Sequence, residues 1–372
     1  MVIVAGACAI AAGTPLAILG GIGRAARLGA IVKGGRYLET LGRVKTVVLD
    51  KTGTLTFGRP EAQAVVPANG VSETEVMFAA ASAEMRSEHP IGKAIVARAL
   101  SERRSIREPE RFDYRPGRGV RAVVDGAAIL VGNRALLEEQ GVGIPRAAHS
   151  DTSGAARVFV ARAGRFIGTI LVADTIRPEA RRAVAALDAM GIRTILLSGD
   201  AGSVAAGVAR ALGIGEVEGE LLPEAKLDRI RRLVAGGSAV AMVGDGINDA
   251  PALAEASVGV AMGSGTEVAR ESADVVLLGN DLAKFADTLA IARWTRRIIF
   301  QNFAGTMAID AVGIALAAGG LINPPLAAFV HVASELVFIL NSARLLPRSA
   351  RAGRAGPEIA APEQSRIVGK AA

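Results

Sequence analysis

Four short apolar runs, separated by helical stretches, constrain the fold of the central part of this 372-residue chain. The runs are Val44–Leu49, Arg193–Leu197, Ala239–Val243 and Val258–Ala261, and several of them end in Gly or Asp. Helical patterns between them cover Pro178–Met190, Ala201–Leu212 and Pro223–Val234. This alternation predicts an α/β fold with a parallel sheet, whose functional sites lie at the carboxyl ends of the strands.

Residues 59–165 interrupt the alternation and are predicted to form an inserted α+β domain. They contain helical Glu73–Leu100, a strand pair near Ala122–Val131, and a hairpin at Arg157–Val172 that turns at Ala163-Gly164. The sheet domain would then consist of residues 24–58, which include a cytoplasmic connector, and residues 166–292.

Uncharged apolar segments lie at both ends of this region. Residues 1–23 carry no charge and are followed by Arg24 and Arg27, whereas a signal sequence would have its basic residues first. Residues 298–343 are broken by Asn323-Pro324-Pro325 into two spans of about 20 residues, the length that crosses a membrane. Arginines flank this block and place both ends in the cytoplasm.

We therefore predict a transmembrane helix over residues 1–23 and a transmembrane hairpin over 298–343. The alternative for the hairpin is a buried helix pair of a soluble protein. We expect the chain to lie in a cell membrane and to cross it several times. The predicted membrane is the bacterial plasma membrane. Residues 349–372, rich in Ala, Arg and Pro, are predicted to be disordered.

The amino-acid composition favours some binding partners and excludes others. Hydrophobic residues make up 51% of the chain and the mean hydropathy is +0.36, which suits contact with a lipid bilayer. The net charge of +7 could indicate a nucleic-acid partner, but the chain lacks basic runs interleaved with aromatic residues. A single cysteine, Cys8, excludes an internal disulfide and a zinc ribbon.

Asp50 stands at the end of the first apolar run, before a turn that contains Gly53. A carboxylate there can attack a phosphoryl group, and the backbone N–H groups of the turn can hold the transferred oxygens. Ser198-Gly199-Asp200 also follows a strand, and Lys226 offers a cation. Asp245, in Gly244-Asp245-Gly246-Ile247-Asn248-Asp249, could bind Mg²⁺ together with Asp50.

The run from Asp50 to Thr56 resembles the signature of P-type ATPases, and the order of the other stretches resembles the haloacid-dehalogenase-like phosphorylation domain. Asp174–Pro178 fits the linking motif of the same family. The resemblance implies that ATP phosphorylates Asp50. It assigns catalysis to Asp50, Lys51, Thr52, Thr54, Ser198, Gly199, Asp200, Lys226 and Asp249, and Mg²⁺ binding to Asp50, Thr52 and Asp245.

The insert contains Ser87-Glu88-His89-Pro90. A histidine beside a proline is by default a surface residue, but the tetrad resembles the nucleotide domain of heavy-metal P-type ATPases. Gly117-Arg118-Gly119 suits a close approach of the backbone to a nucleotide. The resemblance implies an ATP pocket lined by Glu84, His89, Gly117, Gly119, Gly132 and Asn133.

The transported ion is predicted from polar residues of the apolar segments. The family's usual Cys-Pro-Cys corresponds here to Gly6-Ala7-Cys8, so one thiol is left. His331 and Glu335 share a helix face, and Asp310 precedes them where copper pumps have Tyr-Asn. An intramembrane carboxylate indicates function.

The predicted ligand set is Cys8, Asp310, His331, Ser334 and Glu335. Imidazole and carboxylates favour a divalent ion over copper(I), and zinc, cobalt, nickel, iron, manganese and cadmium all fit. The alternative is an ion pair between helices. A metallochaperone is a further predicted partner.

The family's actuator loop, Thr-Gly-Glu, does not occur in this sequence. We therefore expect an incomplete pump, from a fragment or a misassigned start. Two alternatives stay open: a fragment that binds nucleotide or metal without transport, and a phosphatase of the same superfamily. Such phosphatases carry a second Asp two residues after the nucleophile, where this chain has Thr52.

Overall fold

A computed structural model describes residues 8–145, 155–245 and 249–346. The tail that we predict to be disordered, 349–372, lies outside the described residues, as do residues 1–7 and Gly246, Ile247 and Asn248.

A seven-stranded sheet forms the centre of the molecule. Its strands are β1 (Ala30–Val32), β2 (Thr46–Asp50), β9 (Arg193–Leu197), β10 (Glu216–Glu218), β11 (Val240–Gly244), β12 (Val258–Met262) and β13 (Val275–Leu277). Their order is β1-β13-β12-β11-β2-β9-β10, and every neighbouring pair is parallel except β1 with β13. The predicted parallel α/β sheet is confirmed.

Helices cover both faces of this sheet. They are α2 (Gly35–Leu41), α6 (Pro178–Ala189), α7 (Gly202–Leu212), α8 (Pro223–Ala235), α9 (Ala250–Glu255) and α10 (Glu267–Ser272). Strand β2 is buried throughout, and its residues alternate between the two cores: Val47 and Leu49 pack with α6 and α7, whereas Val48 packs with α8, α9 and α10. Burial on both faces explains why this strand reads as a continuous apolar run.

The insert is a second, six-stranded antiparallel sheet. Its strands are β3 (Thr56–Pro67), β4 (Arg111–Arg115), β5 (Gly119–Val124), β6 (Ala127–Gly132), β7 (Ala156–Arg162) and β8 (Arg165–Ile176), in the order β3-β8-β7-β6-β5-β4. Helices α3 (Glu73–Glu84), α4 (Pro90–Ser101) and α5 (Arg134–Glu139) pack on it. The domain limits at 59 and 165 stay predictions, and β3 and β8 extend the sheet to Thr56 and Ile176.

The helical stretch that we predict over Glu73–Leu100 is two helices, so a single helix is wrong. Helix α3 ends at Glu84 and α4 starts at Pro90. Proline has no N–H to donate and is favoured at the first position of a helix. His89 caps α4, because its Nδ1 accepts a hydrogen bond from the Ile91 backbone at 3.3 Å. The interruption places Ser87, Glu88 and His89 of the tetrad between the two helices, with Pro90 at the start of α4.

Three further helices contact one another: α1 (Cys8–Arg27), α11 (Ala283–Ala318) and α12 (Pro324–Ala343). Helices α11 and α12 are each long and apolar enough to cross a membrane, and only 22% and 17% of their most apolar segments are buried. Their exposed side chains include Phe300 and Phe329. This exposure argues against a buried helix pair of a soluble protein.

Helix α11 begins before the predicted hairpin. It starts at Ala283, not near Ile298, and continues without interruption for 36 residues. Its first turns bury Phe285 and Leu289 in the core of the parallel sheet. At a rise of about 1.5 Å per residue, the helix spans roughly 54 Å. One rigid element therefore joins the sheet domain to the apolar hairpin.

A buried polar cluster, which the sequence did not indicate, ties the three apolar helices together. Asn302 of α11 donates to the Ser342 hydroxyl of α12 at 2.8 Å and accepts from Asn341 at 2.8 Å. Ser342 in turn donates to the Gly13 carbonyl of α1 at 2.8 Å. A Cβ at Gly13 would lie 3.2 Å from the Asn302 amide, so a small residue is needed for this contact.

Candidate active site

The loop after β2 presents Asp50 at the carboxyl end of the central strand. Gly53 in this loop has a φ of 74°, a left-handed conformation that glycine adopts without strain. A Cβ at Gly53 would overlap the Asp245 carboxylate. The loop and the end of β11 therefore lie against each other, and Asp245 is held beside the residues that follow Asp50.

Lys226 connects two of the site's carboxylates. Its Nζ lies 2.5 Å from Asp50 Oδ1 and 2.9 Å from Asp249 Oδ1. All three residues are buried, with exposed fractions of 7%, 4% and 1% for Lys226, Asp50 and Asp249. Helix α8 supplies the lysine and the turn before α9 supplies Asp249, so the site forms only when the sheet is assembled.

Burial and neighbouring charge set the ionisation of this group. Burial, the largest cause, and the Asp249 and Asp245 carboxylates together raise the pKa of Asp50 to about 7, against the lowering effect of Lys226. Burial alone would lower the pKa of Lys226, but Asp50 and Asp249 raise it above its ordinary value, so the ammonium stays charged. Two carboxylates, those of Asp50 and Asp249, share the Lys226 ammonium, so carboxylates are in excess over the one cation that bridges them, and Asp245 lies beside the same loop.

This excess fits a divalent cation. Mg²⁺ prefers oxygen ligands and is usually held by one or two carboxylates plus phosphate oxygens and water. Asp50 and Asp245 are the carboxylates that the loop geometry offers for this role. Within the described residues no group of three or more His, Cys, Asp or Glu side chains is arranged to hold a metal unaided. The protein part of a Mg²⁺ site here is thus a partial set of ligands.

The neighbouring strand end brings in the Ser198–Asp200 segment. Ser198 is buried, and its hydroxyl accepts from the Asp200 backbone N–H at 3.1 Å. Asp200 forms an ion pair with Lys51. Gly199 lies in the same turn, between these two residues.

The loop's two threonines differ in exposure. Thr54 has a buried hydroxyl with no hydrogen-bond partner in the described part of the chain, and Thr52 has an exposed side chain. An unsatisfied buried hydroxyl costs free energy, and an incoming oxygen-rich ligand would satisfy it.

Arg177 is a site residue whose contacts the sequence did not reveal. It is buried, and its guanidinium donates to the Gly53 carbonyl at 3.0 Å and to the Thr56 carbonyl at 3.1 Å. It also lies over the Phe57 ring, 4.8 Å from the ring centroid. The Asp174–Pro178 motif signalled this segment, but only the fold shows that its arginine holds the loop after Asp50.

A cavity of about 650 Å³ lies between the inserted domain and α7. All six residues predicted to bind the nucleotide line it: Glu84, His89, Gly117, Gly119, Gly132 and Asn133. The opposite wall includes Ala201 and Ser203, which lie one and three residues after Asp200. The cavity therefore reaches the segment that carries part of the candidate phosphorylation site.

Gly119, where β5 begins, and Gly132, where β6 ends, are paired with each other and are required by close packing. A Cβ at Gly119 would overlap the Val131 carbonyl, and a Cβ at Gly132 would overlap the Arg118 carbonyl. Asn133 secures this corner, since its amide donates to the Gly117 carbonyl at 2.8 Å and its Oδ1 caps α5. The backbone is thereby open to a ligand at one wall of the cavity.

Glu84 is a buried carboxyl in the same wall. Its Oε2 has no hydrogen-bond partner among the described residues. Burial raises its pKa to about 7, and a hydrogen bond with Ser87 only partly opposes this. A carboxyl that is partly protonated at neutral pH can donate as well as accept, which suits recognition of a heterocyclic base.

The residues predicted to bind the transported ion are only partly brought together. Asp310 and His331 line one small cavity of about 20 Å³ between α11 and α12. The Ser334 hydroxyl donates to the His331 carbonyl at 2.7 Å, and Glu335 does not line this cavity. Cys8 lies in α1, but its side chain is outside the described part.

Comparison with known proteins gives consistent matches. Residues 44–257 match the family model of haloacid dehalogenase-like hydrolases. A probable copper-exporting P-type ATPase V of Mycobacterium tuberculosis is 40% identical over 95% of this chain and 46% of its own length. A manganese-exporting P-type ATPase of Mycobacterium bovis is 41% identical over 93% of this chain and 49% of its own. The chain thus spans about half the length of these curated relatives.

Solved structures of ATPases also resemble this chain. A zinc-transporting PIB-type ATPase in its E2.Pi state superimposes with a TM-score of 0.76 at 36% identity, over 91% of this chain and 56% of that protein. The catalytic domain of the CPx-ATPase CopB-B gives a TM-score of 0.58 at 30% identity, over 71% of this chain and 96% of that domain. Both the catalytic region and the helices next to it therefore have structural counterparts.

Glu84→Gln is expected to stabilise the folded chain at pH 8. A folded-state pKa raised from 4.5 to about 7 means that stability is lost as pH rises between these values, and glutamine cannot ionise. The expected gain is about 1–3 kcal/mol at pH 8 and close to none at pH 4.5. Thermal unfolding followed by circular dichroism at both pH values measures it.

Glu88→Gln is the matched control. Glu88 is exposed and its pKa is lowered by its hydrogen bond with Lys93, so its replacement should give no gain at pH 8. An equal stability change for Glu84→Gln at both pH values would show that burial does not perturb this carboxyl.

Proposed function

This chain belongs to the heavy-metal-transporting P-type ATPases, and on that premise we propose that it transfers the γ-phosphate of ATP to Asp50 and couples this reaction to metal transport across a membrane. The observation that carries the proposal is the bridge from Lys226 to Asp50 and Asp249 at the mouth of the parallel sheet. Export of the ion is the direction that the names of the relatives print for those proteins.

The chemistry follows from the charges around Asp50. One carboxylate oxygen attacks the γ-phosphorus, the bond to the β–γ bridging oxygen breaks, and ADP leaves with that electron pair. The Lys226 ammonium, fixed before the reaction, stabilises the negative charge of the transferred group. Because the pKa of Asp50 is about 7, ionisation of the nucleophile depends on nearby positive charge.

Mg²⁺ is the second source of that charge. Asp50 and Asp245, with Thr52 of the same loop, would hold it, and it would neutralise phosphate oxygens of the substrate. Lys51, paired with Asp200, lies beside the same loop and keeps the Ser198–Asp200 segment against it. The Thr54 hydroxyl has no hydrogen-bond partner among the described residues, and we propose that it donates a hydrogen bond to a phosphoryl oxygen, as the family resemblance implies.

We assign the adenosine part of ATP to the cavity of the inserted domain. Glu84 and His89 supply polar groups, and the glycines at 117, 119 and 132 leave the backbone open. Since the opposite wall belongs to α7, a bound nucleotide would bring the two domains together.

The transported ion is proposed to be a divalent transition metal. Asp310 and His331 share a cavity, and a carboxylate with an imidazole favours zinc, cobalt, nickel, iron, manganese or cadmium over copper(I). Glu335 lies one turn beyond His331 on α12 and is proposed as a further ligand.

A phosphatase of the same superfamily is the weaker reading. It would need an acid–base carboxyl two residues after the nucleophile, and Thr52 has none to offer. An aspartyl-phosphate on Asp50 would then be long-lived, which suits a pump.

Incubation of the purified chain with γ-³²P-ATP and Mg²⁺ should give an acid-stable, hydroxylamine-sensitive label. Asp50→Asn should abolish the label. Lys226→Met should slow its formation by roughly 10²–10³-fold, as expected when a preorganised charge is removed. Lys93→Met, at an exposed lysine that pairs with Glu88, is the control and should label normally. Label that persists in Asp50→Asn would refute the proposed nucleophile.

Equilibrium dialysis of the purified chain tests the ion. Zn²⁺, Co²⁺ and Mn²⁺ should bind more tightly than Cu(I), and His331→Ala or Asp310→Asn should weaken binding by more than about tenfold, as a lost ligand does. Asp287→Asn, an exposed carboxylate on the same helix α11, is the matched control. A preference for Cu(I), or unchanged binding in both variants, would contradict the assignment.

A further inference from the structure

A groove of about 780 Å³ lies where the loop before β2 meets α11. Five basic side chains line it, namely Arg43, Lys45, Arg293, Arg296 and Arg297, together with one acidic side chain, Glu39. This is the level at which α11 leaves the core of the sheet domain and becomes apolar and exposed. The groove therefore sits at the cytoplasmic boundary of the membrane hairpin.

The backbone holds these charges together. Arg293 donates to the Met190 carbonyl at 2.6 Å and to the Val44 carbonyl at 3.2 Å. Gly42 packs on the helix, where a Cβ would lie 2.9 Å from the Ala292 carbonyl. The backbone at Arg43 and Lys45 is consequently held next to the part of α11 that carries Arg296.

Four of the five cationic side chains have no partner among the residues that the structure describes. They are the side chains of Arg43, Lys45, Arg296 and Arg297, which form no hydrogen bond or ion pair there. Many other arginines of this chain are paired, as Arg193 is with Glu216. Like charges held close together repel, and an anion between them relieves the repulsion. Arginines favour phosphate, which their guanidinium groups bind in a fork.

The groove continues into an apolar part. Phe300 and Phe303 line it and are exposed by 68% and 49%. They lie four and seven residues beyond Arg296, on the same face of α11 and roughly 6–10 Å deeper. A ligand that fills the whole groove has an anionic phosphate at one end and hydrocarbon at the other.

We infer that this groove binds an anionic phospholipid, with its headgroup phosphate among Arg43, Lys45, Arg296 and Arg297 and its acyl chains along Phe300 and Phe303. The site is separate from the cavities proposed for ATP and metal. Because Lys45 directly precedes β2, which ends at Asp50, the lipid would fix the base of the strand that carries the phosphorylated residue.

A second groove on the other side of α11 provides the control. It contains Arg24, Arg344 and Trp294, and its cations are satisfied: Arg24 lies 4.8 Å from the centre of the Trp294 ring, and Arg344 donates to Asn341 at 2.9 Å. It lies at a similar depth but lacks the unpaired cluster.

Native mass spectrometry of the purified chain, released from detergent with added phosphatidylglycerol or phosphatidylcholine, tests the inference without ATP or metal. One phosphatidylglycerol should be retained in preference to phosphatidylcholine. Arg43→Gln/Lys45→Gln should weaken retention by about tenfold or more, the order expected for two cations at an anionic surface. Arg24→Gln/Arg344→Gln removes the same charge and should leave retention unchanged.

Two further arms make the result decisive. Arg296→Gln/Arg297→Gln should lose retention too, and it replaces the first double variant if circular dichroism shows that one misfolded. Inorganic phosphate and soluble glycerophosphoglycerol should not displace the lipid at equal concentration, since they lack acyl chains. Equal retention of both lipids, equal loss in the control pair, or displacement by the soluble headgroup would each overturn the inference, whatever the phosphorylation assay shows.

Discussion

The buried ammonium of Lys226, placed between the carboxylates of Asp50 and Asp249, is the interaction on which the rest of this site depends. Without it, the Asp50 and Asp249 carboxylates would face one another in a buried site at the end of β2 with no cation between them, which would cost free energy. The three residues come from a strand, a helix and a turn far apart in the chain. They meet only when the parallel sheet is assembled, so the pairing of Lys226 with Asp50 and Asp249 depends on the fold of the sheet.

A continuous helix also connects the domain that carries this site to the membrane. Helix α11 begins inside the core of the sheet domain and ends among lipid-facing side chains, so a change at the sheet has a rigid route to the hairpin. The contacts of Asn302 with α12, and of Ser342 with α1, hold the three helices in one register. On the other side, the hydrogen bonds of Arg177 join the loop after Asp50 to the strand pair that leads into the inserted domain.

Much of this could be predicted from the sequence, because local patterns determined it. The strands β2, β11 and β12 are fully buried, β9 is buried over its last three residues, and all four appear as apolar runs. The residues at their ends were predicted to be site residues. Strands β1, β10 and β13 have three residues each, too few for a pattern to show. The start of α11 was missed because the apolar turns around Phe285 pack into the sheet core, whereas the sequence pattern emphasised the lipid-facing part.

Contacts between distant residues were beyond reach of the sequence. Nothing local marks Asn302 as the partner of Ser342, or the Arg177 guanidinium as a support of Gly53, since each contact spans many residues. The break between α3 and α4 has a local signal in Pro90, which is favoured at the start of a helix. The family resemblance predicted six nucleotide-binding residues, and the fold brings all six to one cavity.

We infer that Asp50 and Asp245 supply the carboxylates of a site that a divalent cation completes. Thermal unfolding of the chain with and without Mg²⁺ tests it most directly. Mg²⁺ at ten to a hundred times its Kd should stabilise the wild type by about 1–3 kcal/mol. The gain should be larger at pH 8 than at pH 6, because protons compete for Asp50, whose pKa is about 7. Asp50→Asn and Asp245→Asn should each lose most of it. An equal Mg²⁺ effect in the wild type and both variants would contradict the account.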